Sequence, residues 1–217
     1  MMDYTTIRIA VGLRLGLPLC QPHKCSRCGA QVDQSGTHGL SCMKNAGRIP
    51  RHATMNETIK RALASINIPS ELEPPGLYRQ DGKKPDGLSL VPWSRGKSLL
   101  WDATCTDTLA KSYVKSSSRS AGAAAALAET RKFKKYLPGI PIMYQFCPFA
   151  VETLGTFGES AMRLVNELGK RLHLCTGENR SRSFLIQRIS IAIQRGNAAS
   201  IIATIPQGSK LNEIFYL

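Results

Sequence analysis

The chain has 217 residues, 42 % of them hydrophobic, and carries a formal net charge of +14. This hydrophobic content supports a folded core and argues against wholesale disorder. No apolar run approaches the roughly 18 residues of a membrane-spanning helix. The charge excess indicates a polyanionic partner; nucleic acid is favoured, and a membrane surface is the less favoured alternative.

Residues 1–19 form a short apolar segment interrupted by Arg8 and Arg14. It lacks an unbroken apolar stretch and a small-residue cleavage site, so we do not expect a signal peptide. We interpret the segment as the remnant of a preceding region, with no packing partner of its own. Residues 20–46 follow as a Gly-rich Cys/His segment, which has too few large apolar side chains to form a core without a metal.

Four potential metal ligands lie in two close pairs in that segment: Cys25 with Cys28, and His38 with Cys42. Zinc takes four sulfur or nitrogen donors in a tetrahedron, and two donors with two or three residues between them can occupy one edge of it. The spacing predicts a structural zinc knuckle, and it is less consistent with incidental buried cysteines and a surface histidine. Cys20 and His23 lie close enough in sequence to replace one ligand. The odd number of cysteines also favours a metal site in a reducing compartment over disulfides.

Residues 47–155 are predicted to alternate helices and short strands. Ile59, Leu63 and Ile66 fall on one helical face, and Pro69 ends that helix. The predicted elements are, in order, a helix over residues 51–66, strands over residues 72–78, 87–92 and 98–105, a hairpin turn over residues 94–97, a basic Ala-rich helix over residues 109–136 and a strand over residues 140–149.

Residues 156–217 are predicted to form a C-terminal helical extension, with helices over residues 159–174 and 183–200. Leu185, Ile189 and Ala192 form the apolar stripe of the second helix. No internal repeat is visible. Strands interleaved with helices predict an α/β fold with one small mixed sheet flanked by helices.

Two acidic residues mark the predicted hairpin. Asp86 precedes its first strand, and Asp102 lies in its second, so both carboxylates can reach the same end of the sheet. Such a pair suits Mg²⁺ or Mn²⁺, because hard cations prefer oxygen ligands. Taken alone, the pair favours an ordinary turn and an isolated strand aspartate.

The order of these motifs resembles a known family. The Cys-Cys-His-Cys knuckle is followed by Arg51-His52, Lys84-Pro85-Asp86, Asp102 and Lys135-Tyr136. This order is similar to that of the restriction-like endonuclease domain of site-specific non-LTR retrotransposons, a member of the PD-(D/E)XK superfamily. The resemblance covers roughly residues 25–149, and it implies a restriction-endonuclease-like αβββαβ core.

The resemblance also implies residue roles. Asp86 and Asp102 would bind the catalytic metal, assisted by a lysine on the following helix, either Lys135 beside Tyr136 or Lys132 one turn earlier. Thr104 stands where the superfamily usually has a strand lysine, and fifteen residues separate the two aspartates, slightly more than is usual in the family. Candidates for a third acid are Glu57, Glu71 and Glu73.

The basic residues predict a DNA-facing surface. Residues 111–135 contain seven Lys or Arg and one acid, Glu129, whereas a solvated helix face usually mixes its signs. The alternative for the first helix is that Arg51 is a solvated charge and His52 a packing residue. The predicted nucleic-acid contacts are Arg51, His52, Lys84, Lys111, Lys115 and Lys134.

These observations predict a Mg²⁺-dependent endodeoxyribonuclease that nicks a target site and acts on chromosomal DNA in the nucleus. The alternative is a zinc-containing nucleic-acid-binding module whose nuclease core has decayed, including a host protein retained for interaction only. DNA is the expected partner, with RNA or a separately encoded reverse transcriptase as further candidates. We expect no membrane association.

Overall fold

The computed structural model describes residues 2–45, 47–77 and 84–206. The helices are α1 (Tyr4–Leu15), α2 (His38–Ser41), α3 (Arg48–Ala64), α4 (Val114–Ser117), α5 (Ala123–Tyr136), α6 (Glu159–Thr176) and α7 (Ser181–Ile202). The strands are β1 (His23–Lys24), β2 (Gln31–Val32), β3 (Ser70–Leu72), β4 (Gly87–Ser94), β5 (Lys97–Thr106) and β6 (Tyr144–Glu152). Among these residues, no helix combines the length and apolar character needed to cross a bilayer.

The main sheet has four strands in the order β3-β4-β5-β6. The first three strands are antiparallel, because each connection returns the chain directly alongside the preceding strand. Strands β5 and β6 are parallel, as their connection through α5 requires. Strands β5 and β6 are largely buried, with Trp101 and Phe149 fully enclosed. The predicted small mixed sheet is therefore confirmed.

Helices cover both faces of this sheet. On one face, α5 places Ala125 and Ala128 against Ala150 of β6, and these small side chains allow a close approach. On the other face, α3 and α6 pack on the strands, and α7 packs on both helices. The main core lies between these helices and the sheet, around Met55 and Ile189. The flanking helices were also predicted.

Buried glutamates cap two of these helices from other elements. Glu129 of α5 accepts hydrogen bonds from the backbone N–H groups of Ser160 and Ala161, at the start of α6. Glu152 of β6 likewise accepts from two N–H groups at the start of α5. The first N–H groups of a helix have no acceptor within it, so a carboxylate there compensates both the hydrogen bonds and the helix dipole. These contacts fix α5 and α6 relative to β6.

The prediction that residues 1–19 lack a partner was wrong. Asp3 accepts a hydrogen bond from the Thr6 N–H and begins α1. The helix buries Ile9 and Leu13 against α7. Its packing partner lies some 180 residues later in the chain, which a local apolar pattern cannot reveal.

Three predicted elements differ most from the structure. The basic stretch 109–136 contains turns and the short α4 before α5 begins after Gly122, whose φ is +85°. The strand predicted over residues 140–149 begins only at Tyr144, after a 3-10 turn. The strand predicted over residues 72–78 shares only Leu72 with β3, which ends before Glu73, where φ is +52°. Tyr78 lies outside the described residues.

Candidate functional site

The four predicted knuckle ligands lie together. The ligand atoms of Cys25, Cys28, His38 and Cys42 are all within 4.8 Å of one another. The Cys28 Sγ lies 3.2 Å from the His38 Nε2. The β1–β2 hairpin carries the first pair of ligands near its turn, and α2 carries His38 at its start, with Cys42 directly after it. This group can hold a metal ion, and its donor set is compatible with structural zinc.

The two alternative ligands have other partners. The Cys20 Sγ lies 3.4 Å from the Asp33 carbonyl oxygen, and burial raises the pKa of Cys20 to about 11. The His23 Nε2 lies 3.0 Å from the Thr204 hydroxyl. Neither residue belongs to the four-residue group.

The knuckle is joined to the C-terminal end of α7. The Asn45 Nδ2 donates a hydrogen bond to the Ser200 carbonyl at 2.5 Å. A Cβ at Gly39 would lie 2.8 Å from that same oxygen, and one at Gly47 would lie 2.8 Å from the Ser200 Cα. Glycine is required at both positions because the two backbones approach so closely.

The two aspartates line one open cleft of about 550 Å³. Strand β4 begins at Gly87, which lies opposite Trp101 of β5. The next N–H of β5 that points toward β4 lies beyond the start of that strand and has no backbone partner in it. That N–H, from Ala103, donates to the Asp86 Oδ2 at 2.6 Å. The hairpin therefore holds Asp86 against β5 beside Asp102, as the sequence predicted.

His52 is the third residue of this group. Its Nε2 lies 2.9 Å from the Asp86 Oδ2. The indole N–H of Trp101 donates to the Asn56 Oδ1 at 3.1 Å, which directs the Asn56 amide nitrogen toward the His52 ring, 3.4 Å from Nδ1. The same amide nitrogen lies 3.5 Å from Nε2, so Asn56 supports the ring beside Asp86 without favouring one ring nitrogen.

Helix α5 supplies the lysine. The Lys132 ammonium contacts the Asp102 Oδ2, and both side chains are largely buried. Lys135 is exposed at the rim of the same cleft. Tyr136 is buried, with its ring 4.8 Å from that of Phe146, and its hydroxyl donates to the Lys84 carbonyl oxygen at 3.4 Å. Tyr136 thus anchors the segment that leads into Asp86.

The carboxyl and imidazole groups perturb one another. Burial acts to raise the pKa of Asp86, but the hydrogen bond and charge of His52 outweigh it, so this pKa is lowered. Burial raises the pKa of Asp102, and the neighbouring Asp86 adds to this effect while Lys132 opposes it. The hydrogen bond to Asp86 raises the pKa of His52. The cleft therefore holds two carboxyl groups of unequal acidity, an arrangement that is typical of functional sites.

Arg51 is placed differently from the prediction. It is only 3 % exposed, and its guanidinium donates to the Asn197 Oδ1 of α7 at 2.7 Å. Arg51 therefore ties α3 to α7 and is not on the surface, so the expected phosphate contact has to be corrected. Its side chain fits because Gly196 has no Cβ; one there would lie 2.4 Å from the Arg51 Cβ.

The other predicted residues are divided between the cleft and its surroundings. Lys84 and Thr104 line the cleft. Three exposed lysines lie outside its lining: Lys111, Lys115 and Lys134. The candidate third acids also lie outside it. Glu57 pairs with Arg61, Glu73 pairs with Lys84, and Glu71 lies in the short strand β3.

Among the cleft residues that were not predicted as site residues are Arg131 and Tyr113. Arg131 donates to the Tyr113 hydroxyl at 2.5 Å, and its guanidinium lies 5.3 Å from the centre of that ring. Helical spacing offered a signal for Arg131. The cleft-lining residues of α5 are spaced i, i+3, i+4, i+7 and i+8: Ala128, Arg131, Lys132, Lys135 and Tyr136. Tyr113, in the turns before α4, had no comparable signal.

No protein-family model matches the chain, and no curated protein matches it either.

Proposed function

We propose that the chain is a metal-dependent endonuclease that hydrolyses DNA phosphodiester bonds and nicks a target site. One observation carries the proposal: Asp86 and Asp102 line a single cleft, with Lys132 on one carboxylate and His52 on the other. The element order from α3 onward gives further support. Helix, three strands, helix and strand is the order that the resemblance to retrotransposon endonucleases implies.

The two carboxylates fit Mg²⁺ or Mn²⁺. They are oxygen donors in one cleft. Burial, with a smaller contribution from the neighbouring Asp86, raises the pKa of Asp102, and a bound cation would favour the ionised form of this carboxyl group. When bound there, such an ion polarises the scissile phosphate and lowers the pKa of the attacking water.

The remaining cleft residues act on the substrate or on the carboxylates. Lys132 places a positive charge beside the carboxylates, where the transition state of phosphoryl transfer develops negative charge. Arg131 and Lys135, at the rim, contact flanking phosphates. His52 is a positioning residue that orients Asp86. The four knuckle residues bind one structural zinc ion.

Nicking of supercoiled plasmid tests the proposal. With Mg²⁺, the zinc-loaded protein should convert supercoiled plasmid to the open circle, and Asp86→Asn or Asp102→Asn should abolish the conversion. Lys132→Ala should slow it by about 100- to 1000-fold, because one stabilising charge is lost. Glu167→Gln and Lys170→Ala change a half-buried and an exposed charge on α6, outside the cleft, and should nick at the parent rate. Equal nicking by the parent and both aspartate variants would refute the site.

The second candidate is a DNA-binding module with a decayed nuclease core. It is favoured by the partners that the carboxylates already hold: Asp86 accepts two hydrogen bonds, and Asp102 contacts Lys132. In that case the parent binds DNA without nicking it, and the aspartate variants bind equally well. Under either function we propose that the protein acts on chromosomal DNA in the nucleus. RNA and a separately encoded reverse transcriptase are further candidate partners.

A further inference from the structure

A second pocket lies between the zinc knuckle and the cleft. It has a volume of about 500 Å³ and shares His52 and Thr104 with the cleft lining. Residues 43–45 after the knuckle form one side, and the first turn of α3 forms another. We call it the knuckle pocket. Because the two lining sets share residues, a strand in the cleft can continue into this pocket.

The charges in the knuckle pocket are of one sign. Lys44 is exposed and Arg48 is half-buried; Arg51 also lines the pocket, but its guanidinium is buried against Asn197. None of the described residues that line it is acidic. A concave surface with several cations and no carboxylate attracts a polyanion, and here it borders a cleft proposed to hold a phosphodiester.

Two apolar side chains project beside these cations. Met43 is 87 % exposed and Ile49 is 72 % exposed, and both line the pocket. The Arg48 Nη1 lies 3.5 Å from the Met43 sulfur, which places cation and apolar surface side by side. Phosphates do not complement apolar surface. In DNA the matching surface is the face of a base, and a base offers its face only when it is unstacked.

We propose that the knuckle pocket binds an unstacked DNA strand beside the cleavage position, an inference that rests on the proposed nuclease function. Lys44 and Arg48 contact its backbone phosphates, and Met43 and Ile49 pack on an exposed base. The preferred substrate is therefore a duplex that is locally opened next to the cut, rather than continuous B-form DNA.

Fluorescence anisotropy with two labelled oligonucleotides tests this proposal. One is a continuous duplex, and the other is the same duplex with a short unpaired bubble. Binding is measured with the zinc-loaded full chain, without added Mg²⁺, so that the result does not depend on nicking. The parent should bind the bubble more tightly than the duplex.

Two double variants separate the apolar and cationic contributions. Met43→Ser with Ile49→Ser should reduce the bubble-to-duplex affinity ratio to about one while leaving duplex affinity intact. Lys44→Gln with Arg48→Gln should weaken both complexes and reduce the slope of log affinity against log salt concentration by about two. Lys170→Gln with Leu174→Ser, an exposed cation and an exposed apolar residue on α6, is the matched control and should retain the parent ratio and slope.

The proposal is overturned if the parent shows no bubble preference or if the Met43/Ile49 variant retains it. Retention of the preference by this variant would indicate that Met43 and Ile49 contact a protein partner instead of DNA. Zinc content and melting temperature equal to those of the parent show that each variant is folded. A protein that prefers the bubble but does not nick plasmid refutes only the nuclease. One that nicks plasmid without the preference refutes only the role of this pocket.

Discussion

Arg51 and His52 are neighbours on α3, yet their side chains meet different parts of the molecule. Consecutive residues of a helix are rotated by about 100°, which directs Arg51 toward α7 and His52 toward β4. Arg51 bonds Asn197, and His52 bonds Asp86. One residue therefore supports the packing of helices, whereas the other belongs to the cleft.

Replacing Arg51 by methionine tests this division. We expect Arg51→Met to lower the free energy of unfolding by about 1–3 kcal/mol, because the buried Asn197 oxygen loses its donor. DNA affinity of the folded protein should stay within about twofold of the parent, since the surface charge is little changed. Urea denaturation and anisotropy measure the two quantities.

Arg163→Met is the matched control for this substitution. Arg163 is an exposed arginine paired with Glu159, so its loss should cost less than about 1 kcal/mol. A large loss of DNA affinity at unchanged stability in Arg51→Met would restore Arg51 to the DNA-binding surface.

At the level of single residues, contacts within one turn or hairpin were predictable. The knuckle ligands lie within eighteen residues of sequence, and their spacing is set by the metal's coordination geometry. The choice between Lys132 and Lys135 was not predictable, because both lie on the cleft-facing side of α5. Only the position of α5 over β5 places Lys132 on Asp102. The His52–Asp86 contact likewise depends on how α3 packs across the hairpin.

At the level of elements, α6 depends on a carboxylate from another helix. Glu129 is 5 % exposed and accepts from the N–H groups of Ser160 and Ala161 in the first turn of α6. A Cβ at Gly158 would lie 2.2 Å from the Glu129 Oε1, so glycine at that position makes room for the cap. The presence of Glu129 as the one acid in the basic residues 111–135 is thus explained by its role as the cap of α6.

Removal of this cap should be costly. We expect Glu129→Ala to lower the free energy of unfolding by about 2 kcal/mol, because two buried N–H groups lose a charged acceptor. Glu129→Gln keeps one acceptor oxygen and should recover part of the loss. Urea denaturation of the zinc-loaded protein measures the difference.

The comparison variant is Glu167→Ala, which removes an α6 carboxylate paired with Arg171 and should change stability by less than about 1 kcal/mol. Equal stabilities for Glu129→Ala and Glu167→Ala would show that Glu129 does not cap α6.

Long helices were predicted more accurately than short elements. The helices predicted over residues 159–174 and 183–200 correspond to α6 and α7 within two residues at each end, since several apolar turns specify them. Strand β3 and helix α4 have three and four residues, too few for any periodic pattern. Their positions are set by the neighbouring β4 and α5.

At the level of the whole molecule, α7 is the common support. It contacts α1, α2, α3 and α6, and residues on several of its sides are buried. Asn197 and Ser200 are fully enclosed, and so is Thr204, two residues after the end of the helix. A helix that is buried on most sides has no single apolar stripe, which is why the sequence predicted the helix but not its central position.

The contacts between α7 and the knuckle couple metal binding to the stability of the fold. Besides the Asn45 bond to Ser200, the backbone N–H of Ser26 donates to the Thr204 carbonyl at 2.8 Å. The knuckle has little apolar core of its own, so its conformation depends on the ligand set. Loss of the metal should therefore free the C-terminal end of α7 as well.

We expect about one zinc per chain in the purified protein and none in Cys28→Ser. Chelation should lower the melting temperature by at least about 5 °C, because a structural zinc site stabilises only the folded chain. In the chelated protein, hydrogen exchange should accelerate over residues 198–204. Re-added zinc should restore both the melting temperature and the slow exchange. The centre of α6, which packs on β6, is the internal control and should keep its protection. Unchanged exchange at the end of α7 in the chelated protein would show that the knuckle and the fold are energetically independent.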